Sequence, residues 1–316
     1  MQQPGLFALM VAGALSLGAC AEEASPQNET PSAKPMDSSE KVMATKEVEA
    51  AADTPAMISL ADVLADPRRK DRAARDAFRH PQETLDFFGL TPDMTVVEVW
   101  PGGGWYTDIL APYQAAGGGK FIAAGFDPES GEYFAKRTKA FTEKYVSEPE
   151  VFGDIEVSVL SKDSPSVASA GTVDLVLTFR NVHNWAYNGF ADKAFADFYA
   201  ALKPGGVLGV VEHRLPEEAD IAMEQDSGYM KVSSVVALAT AAGFELVAQS
   251  EVNANPQDTS DHPFGVWTLP PSSRTESRDG SVPEGFDPEA YKAIGESDRM
   301  TLKFVKPLTA DGALLQ

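Results

Sequence analysis

Two stretches of the chain combine residue types that can do chemistry. In Val96-Val97-Glu98-Val99-Trp100-Pro101-Gly102-Gly103-Gly104-Trp105-Tyr106, an apolar β-branched run ends in a carboxylate and then a glycine cluster. Glycines at a turn let the backbone approach a ligand and leave amide hydrogens pointing at it. In Phe179-Arg180-Asn181-Val182-His183-Asn184-Trp185, a cation, an amide and an imidazole fall within four residues. Imidazole titrates near neutral pH, so His183 is the candidate general base, with Arg180 and Asn181 beside it to position a substrate. The plainer alternatives are a satisfied structural histidine and an Arg180 salt bridge. Glu212-His213 closes another apolar run and is a further candidate for the same pocket.

Asp127 and Asp163 each follow an apolar run, and an ionised carboxylate offers two acceptor oxygens. A helix-capping role is the alternative for Glu98 and Asp127. His80, His183, His213 and His262 are scattered without ligand spacing, so no metal site is expected. Trp100, Trp105, Trp185 and Trp267 all lie in or beside the same loops, where their ring faces either meet a cation or fill core volume.

These groups need elements to hold them. The chain has 316 residues, 43% of them hydrophobic, enough for one large domain with tails. Strands are expected at Val96–Val99, Phe121–Phe126, Ile155–Leu160, Val173–Phe179, Val207–Val211, Phe244–Val252 and Met300–Val305. Helices alternate with them, from about Trp105 to Ala111-Pro112, near Tyr133–Tyr145, at Ala191–Leu202 and at Val232–Ala242. Such alternation argues for an α/β fold, a mostly parallel sheet covered by helices on both faces, with an antiparallel last strand. Ahead of the sheet, residues 56–90 read as a helical lid. Its Arg68-Arg69-Lys70-Asp71-Arg72-Ala73-Ala74-Arg75 run is either a solvated face or a set of cations for a ligand carboxylate or phosphate. Pro81 starts a short helix through Phe88, and Gly89 stops it. Residues 253–297, rich in Pro, Ser, Asp and Gly, read as an insertion with one short helix at Pro288–Ile294, packed as a flap.

The two ends read differently. Leu6–Leu17 is an apolar run too short to span a bilayer, followed by Leu17-Gly18-Ala19-Cys20, which contains the only cysteine. This resembles a lipoprotein signal peptide over residues 1–20, without the usual Lys or Arg near Met1, and it makes Cys20 the lipidation site. Residues 21–55 are a solvated acidic linker without apolar periodicity, and 307–316 are a tail. The expected location is the cell envelope, lipid-anchored at the outer membrane and facing the periplasm. Net charge is −21, which counts against nucleic acid and against an anionic membrane face as partners. Membrane contact is then through the lipid alone, and the partner is a small-molecule substrate.

From about Leu85 to Val305 the chain resembles the class I S-adenosylmethionine-dependent methyltransferases. Glu98-Val99-Trp100-Pro101-Gly102-Gly103-Gly104 is similar to their acidic-x-Gly-x-Gly-x-Gly motif, with Trp100 in the first glycine slot. Asp127 stands where they keep an acid after the second strand, and Leu202-Lys203-Pro204-Gly205-Gly206-Val207-Leu208 is similar to their turn before the fifth. Within that family the Trp-Pro-Gly-Gly-Gly-Trp-Tyr-Thr and Phe-Arg-Asn-Val-His-Asn-Trp phrases resemble an uncharacterised group of predicted methyltransferases. The resemblance implies a Rossmann-like methyltransferase fold with a seven-stranded sheet and S-adenosylmethionine as cofactor. It implies Gly102, Gly103 and Gly104 beside the methionyl part, Glu98 near its amino group, Asp127 on the ribose hydroxyls and Asp163 on the adenine amino group. Two other functions stay open: a catalytically silent ligand-binding lipoprotein on this fold, and an NAD-dependent oxidoreductase using the glycine turn. Against the last stand the acid directly before the glycines and the antiparallel final strand.

Overall fold

A computed structural model of the chain describes residues 58–308. The expected signal peptide with Cys20 and the expected linker lie outside the described residues, as do the last residues of the expected tail. Among the described residues no helix is long and apolar enough to cross a membrane.

The strands, in chain order, are β1 (Thr95–Val99), β2 (Lys120–Gly125), β3 (Ile155–Val159), β4 (Val173–Phe179), β5 (Leu202–Leu215), β6 (Met230–Lys231), β7 (Glu245–Ser250), β8 (Pro263–Val266) and β9 (Arg299–Val305). The sheet runs β3-β2-β1-β4-β5-β9-β7, with β6 added on the far end of β5, so the sheet has eight strands where seven are expected from the sequence. β1 to β5 are mutually parallel, and β9 lies antiparallel between β5 and β7. This is the expected α/β sheet with an antiparallel last strand.

Both faces are covered, which is why the central strands are apolar at successive positions rather than at alternate ones. On β1, Val97 and Val99 join the core with Phe195, Phe198 and Val235, whereas Val96 joins the core with Leu85, Phe88, Ile109 and Leu110. Burying each such side chain stabilises by about 1.5–3 kcal/mol. The helix after β1 spans Thr107–Gly117 and passes through Pro112, where the sequence reading ends it. Pro112 gives up one N–H, but Ile109, Leu110, Ala111 and Tyr113 are buried around it, and the stop comes at Gly118 with φ 78°.

The expected turn before the fifth strand is also redrawn. Lys203-Pro204-Gly205-Gly206 lies within β5 as a bulge: Val173 pairs with Leu202, then Leu175 with Val207. Gly205 adopts φ 79° and donates its N–H to Lys306 O, while Lys306 N–H bonds Gly206 O, so the pairing continues past the irregularity.

The lid begins with helix Leu60–Leu64, where the Ser59 hydroxyl accepts from Asp62 N and the Asp62 carboxylate accepts from Ser59 N. Helix Pro81–Phe88 has the bounds read from the sequence, and its Leu85 and Phe88 enter the core. Residues 253–297 contain β8 and helix Pro288–Ile294. Asp258 organises this segment: its carboxylate accepts from the Tyr229 hydroxyl at 3.0 Å, Ser260 N at 2.9 Å and Asp298 N at 2.7 Å, with His262 Nε2 at 2.8 Å.

Candidate functional site

The chain leaves β1 toward β2 and β3, and returns on the other side as β4 and β5. The carboxyl ends of β1 and β4 therefore flank the point where strand order reverses, the usual ligand crevice of open α/β sheets. A cavity of about 450 Å³ opens there, walled by the ends of both strands and by the lid. Glu98 reaches it from β1. Its carboxylate is 2% exposed and accepts from the Thr107 hydroxyl at 2.6 Å, and burial pushes its pKa up to about 8.

The glycine turn is held by geometry that only part of it shares with the cavity. Gly102 and Gly103 line the cavity, with φ 59° at Gly102. Gly104 does not line it. A Cβ there would stand 2.2 Å from the Tyr145 hydroxyl oxygen, and that hydroxyl donates to Gly104 O at 2.8 Å. This glycine is thus required by packing. Trp100 takes the left-handed conformation of the glycine slot it fills, φ 47°. Its indole lies against Phe126 at 4.7 Å and edge-on to Trp185 at 5.9 Å, and Nε1 donates to Leu160 O at 2.9 Å.

The indole therefore fills the space between the segments that follow β2 and β3. Asp127, just past β2, accepts from Glu129 N at 2.9 Å and caps the short turn Pro128–Ser130; it does not line the cavity. Asp163 is exposed, also outside the cavity wall. Of the six cofactor residues expected from the sequence, the fold gathers Glu98, Gly102 and Gly103 at the cavity and leaves Gly104, Asp127 and Asp163 outside it.

The basic run of the lid is a solvated face only in part: Arg68, Lys70 and Asp71 are exposed, whereas Arg69, Arg72 and Arg75 turn inward. Arg69 is buried, with Nη1 and Nη2 on the Asp76 carboxylate at 3.1 and 2.8 Å and a bond to Leu64 O. Arg72 pairs with Asp108 at 2.9 Å and donates to Gly103 O at 2.8 Å, tying the lid to the glycine turn. Arg79 lies over the Trp105 ring at 4.6 Å. Arg75 and Arg79 both meet Glu296, a residue of the insertion that carries no local signal of a site. Tyr106, stacked on Phe179 at 3.5 Å, completes the wall. Neither Glu296 nor Tyr106 is singled out by sequence reasoning.

The loop after β4 is divided. Arg180, at φ 64°, and Asn181 line the first cavity, and Asn181 Nδ2 donates to Val99 O at 3.0 Å. His183 lines a second cavity of about 750 Å³, bounded by Trp267 and the insertion. Glu212 makes the division. Its wholly buried carboxylate accepts from Val182 N at 2.6 Å and His213 N at 2.8 Å, and meets His183 Nδ1 at 2.9 Å. The three proposed catalytic residues, Arg180, Asn181 and His183, thus face two cavities.

Fold also brings together histidines that sequence spacing leaves scattered. One ligand atom each from His183, Glu212 and His213 lies within 4.8 Å of the others. The Glu212 oxygens are already engaged by these three contacts, so the trio is built as a hydrogen-bonded brace rather than an open ligand set. Burial, followed by the neighbouring His183, pushes the His213 pKa well below 6.5, so its ring is neutral.

No family model matches the sequence, and no curated protein matches it. Solved structures do resemble it. A provisionally named sarcosine dimethylglycine methyltransferase from Galdieria sulphuraria is 14% identical, with 77% of this chain and 88% of that chain covered and a TM-score of 0.50. An S-adenosylmethionine-dependent methyltransferase from Aquifex aeolicus is 19% identical over 62% of this chain and 94% of that one, at 0.43. The [4+2]-cyclase SpnF is 15% identical over 74% and 82%, at 0.48. The likeness is one of fold: this chain's mixed α/β sheet is of the Rossmann-like kind, as in the Galdieria structure.

Proposed function

We propose that the protein is an S-adenosylmethionine-dependent methyltransferase acting on a small molecule. The observation that carries this reading is the buried Glu98 carboxylate beside Gly102 and Gly103, at a cavity of about 450 Å³ on the β1/β4 switch point. That volume is within the usual range for small-molecule sites. The cofactor, when bound, supplies a methyl group on a sulfonium. Glu98 then receives the methionyl ammonium, and the backbone of Gly102 and Gly103 borders the methionyl chain. Asp127 and Asp163 are the carboxylates for ribose and adenine that the family resemblance implies. Arg180 and Asn181 hold the acceptor in this cavity; His183, its ring fixed by Glu212, stands on the second cavity and is the base where the acceptor's acidic group reaches that side. We also propose that the protein is tethered to the cell envelope by lipid on Cys20.

One observation favours a second reading, a catalytically silent ligand-binding protein on the same fold. The Trp100 indole fills the space between Phe126 and Leu160, and Asp127 and Asp163 stand outside the cavity. Calorimetric titration with S-adenosylmethionine, S-adenosylhomocysteine and NAD separates the readings. Binding of the first two supports the methyltransferase; binding of none supports the silent protein, and binding of NAD alone overturns both.

A further inference from the structure

The arginines around the first cavity outnumber the carboxylates that can neutralise them. Arg75 Nε meets Glu296 Oε1 at 2.6 Å, Arg79 Nε meets Oε2 at 3.1 Å, and Arg299 Nη1 meets Oε2 at 3.1 Å. One buried carboxylate thus serves three guanidinium groups. Arg180 reaches the same cavity and, among the described residues, makes no side-chain hydrogen bond or ion pair. Arg79 is 2% exposed and its Nη2 has no partner; Arg75 Nη2 is likewise buried and unpartnered. Burial and the neighbouring arginines push the pKa of Arg180 down to about 10 and that of Arg79 to about 9, with Glu296 opposing; both are still charged at neutral pH.

Other carboxylates do not fill the deficit. Glu98, raised to about 8, is mostly neutral at pH 7, and Asp108 is committed to Arg72. Asp71, at the cavity wall, is exposed. In a chain of net charge −21 this local surplus of cations is not a matter of composition. A desolvated cation without a counter-charge is costly, so the arrangement is retained against stability. Arginine forks match the oxygens of carboxylate and phosphate in pairs.

We propose that this cavity binds a small doubly negative ligand, a dicarboxylate or a phosphate ester, gripped by Arg180 and the free edges of Arg75 and Arg79. The proposal deepens the methyltransferase reading, on which it rests only in naming that ligand the methyl acceptor. S-adenosylmethionine carries one carboxylate against an ammonium and a sulfonium, so it cannot neutralise the cluster. The acceptor must do so.

The test is calorimetric titration of the protein with succinate and with inorganic phosphate, against acetate as the singly charged control, with and without S-adenosylhomocysteine. At least one dianion is expected to bind tenfold or more tightly than acetate. Arg180→Asn, which tolerates the left-handed backbone, is expected to weaken that binding about 10- to 150-fold. Arg180→Lys keeps the charge without the fork and should fall between. Ligand-free Arg180→Asn should melt at or above the wild-type temperature, because the side chain it removes has no protein partner. Failure of both dianions to bind, or equal binding by Arg180→Asn, overturns the proposal. If dianions bind through Arg180 and S-adenosylhomocysteine does not bind at all, the methyltransferase reading falls and the anion site stands.

Discussion

The Glu98 carboxylate and the Thr107 hydroxyl meet at 2.6 Å in the core, joining the end of β1 to the first turn of the helix that follows the glycines. Burial raises the Glu98 pKa from an ordinary 4.5 to about 8, so the folded protein holds a proton that the unfolded chain releases. Its effect on stability is full below about pH 4.5 and is lost as pH rises to about 8, at up to about 1.4 kcal/mol per pH unit. Glu98→Gln should remove that slope from the unfolding free energy measured across this window. The same proton gives a binding test. If the ligand's ammonium meets Glu98 as a carboxylate, S-adenosylhomocysteine binding at pH 7 should release close to one proton, read from calorimetry in buffers of different ionisation heat. Zero release would take Glu98 away from the ammonium.

Trp100→Gly restores a glycine where the backbone already has φ 47°, and it empties the space between Phe126, Leu160 and Trp185. Loss of the packed indole should lower stability by about 3 kcal/mol, the lower end for large aromatic truncations because strain is relieved. S-adenosylhomocysteine should bind more tightly, and Asp127→Ala in that background should cost about 10- to 150-fold in affinity. Unchanged affinity in Trp100→Gly would mean that the indole is no obstacle to the ligand.

His183 faces the second cavity with Nδ1 held by Glu212. A base role predicts that His183→Ala lowers turnover by about 10²–10⁴-fold with S-adenosylhomocysteine affinity unchanged. Turnover kept in the variant, with a lower melting temperature, assigns the ring to bracing Glu212.

The lipid anchor is tested in cells. Cys20→Ser should move the protein from the membrane fraction to the soluble one, and a variant that stays with membranes refutes the anchor.

Local sequence determined most of the elements and their order, though not the short strands β6 and β8. Helices Pro81–Phe88 and Pro288–Ile294 and strand β4 have the bounds their residues announce, because proline, glycine and runs of β-branched residues act on neighbouring backbone. The acid-and-glycine turn was legible for the same reason. What decided the candidate site was packing between distant segments. Arg75 and Arg79 meet Glu296 across 221 and 217 residues, a pairing that no local pattern encodes. The division of Arg180–His183 between two cavities follows from Glu212 on the next strand, whose carboxylate binds Val182 N and meets the His183 ring. Trp100 had a legible address in the motif, but the direction of its indole depends on Phe126, Leu160 and Trp185, which only the folded sheet brings to one place. Backbone preference acts over a few residues, whereas the fate of a side chain is settled by whichever groups the fold sets against it.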